Sequence, residues 1–279
     1  MKVSLCVIIL TYNESIHINR AINNVTDLAD KIIVLDSHST DDTVEQAKSL
    51  GAEVILRKFD NYKNQREYAI QYAKEFSEWI LFLDADEYLT NALKIEIKSA
   101  VLETTVVGYH IPRRFIFMNK WIKWGGYYPT YLLRLFRPEH ASIHSIINEH
   151  VKVEGKIGQL KNDFVDHNLK GITNWVEKHN HYASFEAQEF LRFKSNKDLF
   201  KNIKFLSGQS GKKQWLRYKI WNNLPSIIRP SIYFIYRYFV RFGFLDGKEG
   251  LIYHFLQGFW LWFLVDVKYL EMKNKQCAE

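Results

Sequence analysis

The chain has 279 residues, 47% of them hydrophobic and 25% charged, which excludes the disordered and fibrous classes. Its net charge of +7 is unevenly placed: residues 201–279 hold 13 basic and 5 acidic side chains and 18 aromatics, while the first 200 residues are near neutral. Such a tail fits an anionic membrane surface, where each nearby Lys or Arg contributes about 1 kcal/mol, and no nucleic-acid recognition motif accompanies it.

Residues 3–10 form a continuous apolar run, the pattern of a parallel strand covered on both faces. They are too short for a secretion signal and lack its small-residue cleavage site. Asn13 reads as the N-cap of a helix over residues 14–25. A second strand, 31–35, ends at Asp36, and Ser39 or Thr40 then caps a helix that stops at Gly51. Residues 53–56 make a third strand and 64–76 a helix. The fourth strand, 79–83, runs straight into Asp84-Ala85-Asp86-Glu87. This alternation predicts right-handed βαβ units, with ligands bound beyond the carboxyl ends of the strands. Three polar clusters, from Thr11, Asp36 and Asp84, should therefore meet on one edge.

From Gly108 the texture becomes aromatic and β-rich, with mixed or antiparallel strands at 109–117, 131–136 and 150–153. Residues 175–193 read as an amphipathic helix. Residues 207–273 read as short helices broken near Pro225, Pro230 and 243–250. No stretch reaches the roughly 18 uninterrupted apolar residues of a spanning helix; the nearest, 251–267, is interrupted by His254, Gln257 and Asp266. Trp215, Trp221, Tyr233, Tyr236, Tyr238, Trp260 and Trp262, interleaved with Arg217, Arg229, Arg237 and Arg241, suit interfacial attachment or an aromatic packing surface. Cys6 and Cys277 form neither a disulfide framework nor a metal site, which favours a reducing cytosol.

Asp84 and Asp86, one residue apart at the end of a buried strand, offer the hard oxygen ligands that Mg²⁺ or Mn²⁺ prefers. Glu87 adds a third negative charge, and like charges this close need a counter-ion. The alternative is a helix cap beside solvated surface. Neither Thr11-Tyr12-Asn13-Glu14 nor the Asp36–Thr43 segment is a Gly-rich phosphate cradle. Their side chains suit a nucleoside, with Asp36 as a hydrogen-bond acceptor and Tyr12 as a flat apolar contact. Arg113, Arg114, Arg134 and Arg137 either receive a phosphorylated lipid headgroup or line ordinary strand edges. Gly125-Gly126 beside Trp124 reads as a flexible acceptor loop or a tight turn.

Taken together, Thr-Tyr-Asn-Glu after strand one, Asp-Ser-x-Ser-Thr-Asp-x-Thr after strand two and Asp-Ala-Asp after strand four resemble the family-2 glycosyltransferases of the GT-A fold. The resemblance continues through Trp124-Gly125-Gly126-Tyr127-Tyr128-Pro129, Arg134-Leu135-Phe136, Asn148-Glu149-His150-Val151, Asp166-His167 and Phe242-Gly243-Phe244-Leu245-Asp246-Gly247. The later segments resemble the lipopolysaccharide inner-core β-glucosyltransferase branch.

It implies an α/β, Rossmann-like, mostly parallel sheet with helices on both faces, in a GT-A nucleotide-sugar-binding and catalytic domain at 1–206. A helical, basic, aromatic-rich extension at 207–279 would face the membrane interface. Thr11, Tyr12, Asn13, Glu14, Asp36, Asp84 and Ala85 would surround the nucleoside of a UDP-sugar. Asp86, with Asp84 and His167, would hold a divalent metal (Mg²⁺ or Mn²⁺), and Glu149 would be the catalytic base, with His150 as the alternative. The implied acceptor is a lipid-linked saccharide on the cytoplasmic face of the cell membrane; a polyprenyl phosphate or capsule intermediate is the alternative. A nucleotidyltransferase would need a Gly-rich, basic N-terminal loop that residues 9–14 lack. A non-catalytic nucleotide-sugar-binding protein would retain nucleotide binding without turnover.

Overall fold

The computed structural model describes residues 3–143, 151–196 and 215–276. The chain divides into two compact units: residues 1–119 with 128–169, and residues 120–127 with 170–279. The expected boundary at 206/207 lies outside the described residues.

The first unit opens with the expected alternation. Strand β1 (Val3–Thr11) leads to helix α1 (Ser15–Val25), β2 (Lys31–Asp36), α2 (Thr43–Ser49), β3 (Glu53–Leu56), α3 (Tyr62–Lys74) and β4 (Ser77–Asp84). Then come β5 (Glu87–Leu89), α4 (Asn91–Ala100), β6 (Gly108–Phe117), β7 (Lys120–Trp121), β8 (Thr130–Phe136), β9 (Ala141–Ile143), β10 (Val151–Val153), β11 (Ile157–Gln159) and β12 (Phe164–His167). The main sheet runs β3-β2-β1-β4-β8-β6-β12-β5. Its first four strands are parallel, and β8 is antiparallel to both β4 and β6.

Alternate residues of β1 feed opposite faces, as period-2 geometry requires. Leu5, Val7 and Ile9 pack with Ile18 and Ile22 of α1 and Leu93 and Ile97 of α4. Cys6 and Ile8 pack on the other face with Ala69, Ile70 and Ala73 of α3. This is the α/β, GT-A-like arrangement that the sequence implies. Burial pushes the Cys6 thiol up to about 12, leaving it an inert core residue.

Two helix starts differ from expectation. α2 begins at Thr43 behind Asp42, because Ser39 and Thr40 spend their hydrogen bonds across to Asp36 and Asn13. Asn13 is not a cap either; it holds a left-handed backbone (φ 54°), and Glu14 occupies the cap position.

In the second unit, α5 (Gly171–Ser195) packs Ala183, Ala187, Phe190 and Phe193 against Leu261, Val265 and Tyr269 of the helix Leu261–Gln276. Asp266 is fully buried against Arg229, whose guanidinium also lies 3.9 Å from the Phe190 ring centre. Pro230 does not break the helix Ile228–Ile235; it sits in the first turn, where no intrahelical N–H is needed. Gly243–Lys275 is one 33-residue helical segment, long and apolar enough to cross a membrane by length and composition, with 39% of its most apolar stretch buried. The expected break at 243–250 is present: a 3-10 turn, Gly243–Asp246, ends at Gly247 (φ 71°) before the α-helix Gly247–Tyr253, and Phe242 ahead of it has φ 60°.

Candidate functional site

Register places the three polar clusters on one edge. Thr11 pairs with Asp36 across β1 and β2, and Leu10 pairs with Asp84 across β1 and β4. The loops leaving these strand ends are laced together by their own side chains. The fully buried Asp36 accepts from the Thr11 hydroxyl at 2.8 Å, the Ser39 N–H at 2.7 Å and the Ser39 hydroxyl at 2.5 Å. The Asn13 N–H donates to Ser39 Oγ at 2.8 Å, and Asn13 Oδ1 accepts from the Thr40 N–H at 2.8 Å. The Glu14 N–H donates to Thr43 Oγ1 at 2.8 Å. Tyr12 stands exposed at the rim.

Glu14 is oriented by a histidine that the motif reading passed over. His17 Nε2 accepts from the Leu169 N–H at 2.8 Å, so Nδ1 carries the proton and donates to Glu14 Oε2 at 2.6 Å. Three residues on, and therefore on the same face of α1, Arg20 donates to the backbone oxygens of Asp86 (3.0 Å) and His167 (2.7 Å). The His167 N–H also donates to the Asp86 carbonyl at 3.0 Å. Asp86 and His167, 81 positions apart, are thus stapled together by backbone.

The carboxylates around β4 have separate environments. Glu87 is buried and turned inward: Oε2 accepts from the Asp84 N–H at 2.9 Å and Oε1 from Arg134 Nη2 at 2.6 Å. Burial pushes its carboxyl well above the usual carboxylate range, opposed by the Arg134 guanidinium. Arg134 also donates to Asp84 Oδ2 at 2.8 Å, and Arg66 lies 3.5 Å from Asp84 Oδ1. The counter-ion the triplet needs is thus, in part, an arginine of the neighbouring strand. Asp86 Oδ2 accepts from Asn168 Nδ2 at 2.9 Å, and no described residue donates to its Oδ1.

His167 Nε2 meets Asn119 Oδ1 at 3.2 Å, which puts the proton on Nε2 and the lone pair on Nδ1. Burial, together with the neighbouring Arg20 and His17, lowers its pKa and keeps the imidazole neutral, the form that ligates a metal. Among the described residues, no three His, Cys, Asp or Glu side chains form a ready metal cluster. One or two carboxylates suffice where substrate phosphates supply the remaining ligands, and Asp86 fits that requirement. Ala85 is buried beside it, and Glu149 and His150 lie outside the described residues.

The four arginines, either a phosphate surface or ordinary strand edges by sequence, all have internal partners. Arg114 forms a two-toothed pair with Asp163 (2.9 and 3.0 Å), Arg113 reaches Asp166 at 3.3 Å, and Arg137 lies over Trp79.

Residues 6–147 match the model of "Glycosyl transferase family 2". The chain belongs to this family. An uncharacterized glycosyltransferase of Rickettsia prowazekii is 32% identical over 88% of this chain and 82% of its own length. The glycosyltransferase SunS of Bacillus subtilis is 45% identical over a shorter stretch, 34% of this chain and 23% of its own. The mannosyltransferase PcManGT of Pyrobaculum calidifontis, solved with GDP-Man and Mn²⁺, has TM-score 0.53 at 14% identity over 97% of this chain and 88% of its own; it shares the fold. The chain is a family-2 glycosyltransferase with a GT-A-like sheet.

Proposed function

We propose that this glycosyltransferase moves a hexose, glucose in our reading, from a UDP-sugar to a lipid-linked saccharide such as lipopolysaccharide inner core, with inversion at the anomeric carbon. The observation that carries the proposal is the convergence of the Thr11, Asp36 and Asp84 strand ends on one edge, in a chain of this family. Thr11, Tyr12, Asn13, Glu14 and the Asp36 loop take the nucleoside, with Asp36 acting from beneath by ordering the loops and Tyr12 offering a flat contact. Asp84 lies at the ribose side, beside Ala85.

Asp86, with Asp84 and His167, holds Mg²⁺ or Mn²⁺, which when bound offsets the charge of the leaving diphosphate. The Asn168 and Arg20 contacts keep Asp86 aimed. Glu149 takes the proton of the attacking hydroxyl. Residues 207–279 dock on the inner face of the cell membrane. Support comes from the exposed Ile228, Ile232, Ile235, Phe239 and Phe242 and from the exposed Arg241 and Lys248 in the same region.

The test is UDP release from a panel of UDP-sugars with Mn²⁺ or Mg²⁺ and purified core lipid, comparing wild type with Asp86→Ala and Glu149→Gln. Release that requires metal, acceptor and both carboxylates is expected. Equal release by wild type and both variants refutes the site assignment.

A further inference from the structure

Helix α1 buries Ile18, Ala21, Ile22 and Val25, yet among these apolar residues it also buries a histidine, His17, completely. A buried polar ring costs free energy unless it is hydrogen-bonded, and an aliphatic side chain would fill the same place without that cost. What distinguishes this ring is where its two hydrogen bonds lead. Nδ1 donates at 2.6 Å to Glu14, in the loop that leaves β1. Nε2 accepts at 2.8 Å from the Leu169 N–H, 152 positions away.

Leu169 lies just beyond β12, and residues 167, 168 and 169 each contact this edge. The His167 N–H donates to the Asp86 carbonyl, Asn168 Nδ2 donates to Asp86 Oδ2, and Leu169 donates to His17. Arg20, three residues along α1 from His17, donates to the His167 carbonyl at 2.7 Å. One face of α1 therefore grips residues 167–169 at both ends, with the Asn168 amide between them on Asp86. At its other nitrogen the same histidine holds Glu14, whose own N–H is tied to Thr43 Oγ1.

We propose that His17 is a positioning residue that locks the nucleoside half of the donor site, at Glu14, to the half that carries Asp86 and His167. A nucleoside diphosphate spans both halves. Once its first end is bound, its second contact is intramolecular, and the gain depends on how firmly the spacing is held. A spacing already fixed in the free protein also leaves little freedom to lose when the ligand arrives. The inference rests on the reading that residues 11–14 take the nucleoside and Asp86 the metal of the diphosphate.

The experiment compares, by calorimetry, uridine, which engages the nucleoside half alone, with UDP plus Mn²⁺, which engages both. Backbone hydrogen exchange over residues 167–169 is measured beside it. In His17→Asn the shorter amide can still donate to Glu14 but does not reach Leu169. Exchange of the Leu169 N–H should quicken about tenfold. The Kd of UDP with Mn²⁺ should rise about tenfold, while that of uridine changes by less than about twofold. His17→Gln, whose side-chain carbonyl falls near the place of Nε2, should restore the protection of Leu169 and part of the UDP affinity. Arg20→Gln, at a half-buried position that leaves the core untouched, should give the same split between the two ligands.

Equal losses of uridine and UDP affinity in His17→Asn would overturn the proposal, because a merely structural histidine weakens both alike. An unchanged UDP affinity, or unaltered exchange at Leu169, would overturn it as well. A wild type that binds uridine but gains nothing from the diphosphate and Mn²⁺ overturns the donor-site reading itself. That failure is visible without any variant, whereas the positioning role alone fails only in the comparison of variant with wild type.

Discussion

Acidification should weaken the second unit through His254. This imidazole is fully buried, and neither ring nitrogen has a hydrogen-bond partner among the described residues. It packs among Tyr127, Tyr238 and Tyr253 and against Gly125 and Gly243, with the Arg237 guanidinium as the nearby charge. Burial first, and Arg237 second, lower its pKa from 6.5 to about 4. In the unfolded chain the ring takes a proton near 6.5, whereas in the folded one it resists until about 4. Between those values the unfolded state binds more protons, so stability falls as pH falls. The separation corresponds to about 3 kcal/mol, fully present above pH 6.5 and lost by pH 4. The assay is urea unfolding read by tryptophan fluorescence from pH 7.5 to 4.5, which reports mainly this unit because seven of the eight tryptophans belong to it. In His254→Leu the stability lost between pH 6.5 and 4.5 should be smaller than in wild type by most of that amount, while contributions from surface carboxylates cancel in the difference. If the two proteins lose stability in parallel, or if an imidazole resonance absent from the variant titrates near 6.5, the reasoning is wrong.

On the proposed metal role, Asp86→Asn should weaken Mn²⁺-dependent UDP binding at least about tenfold and shift the melting temperature little, since among the described residues its carboxylate is hydrogen-bonded by the Asn168 amide and not ion-paired; calorimetry and a thermal melt read both. Arg134→Met should destabilise the sheet domain by about 3 kcal/mol in urea, because it strips the buried Glu87 of its counter-ion. Thr11→Val should cost about 1–3 kcal/mol by removing one donor to the buried Asp36 carboxylate, again read by urea unfolding. Gly125→Ala should lower stability by about 1–3 kcal/mol through its contact with His254, and quicken exchange over residues 120–127.

What the sequence disclosed and what it hid follow one physical division. β1, β2 and β4 are legible because each is an apolar run that stops at a polar residue, and a buried strand can stop only where its neighbours do. The apolar runs therefore place Thr11, Asp36 and Asp84 on a common edge. Helix starts were less legible. Ser39, Thr40 and Asn13 are residue types that cap helices, and nothing local says that their hydrogen bonds cross between loops 26 or 27 positions apart. The counter-ion of Glu87 was hidden for the same reason. An antiparallel strand, β8, sets Arg134 beside it, and which residue of β8 arrives there depends on a register that no periodicity reveals. His17 and Arg20 left a faint signal, two cation-forming side chains three apart on a helix beside the site, which an acidic-motif reading had no reason to weigh. The loop at 120–127 left none, since Asp246 holds it through backbone N–H groups that every residue but proline carries. A strand end says where charge must gather; which side chain neutralises it depends on pairings between distant segments, and there the acidic triplet at β4 divides its labour, with Glu87 turned inward to Arg134 and Asp86 held by the Asn168 amide.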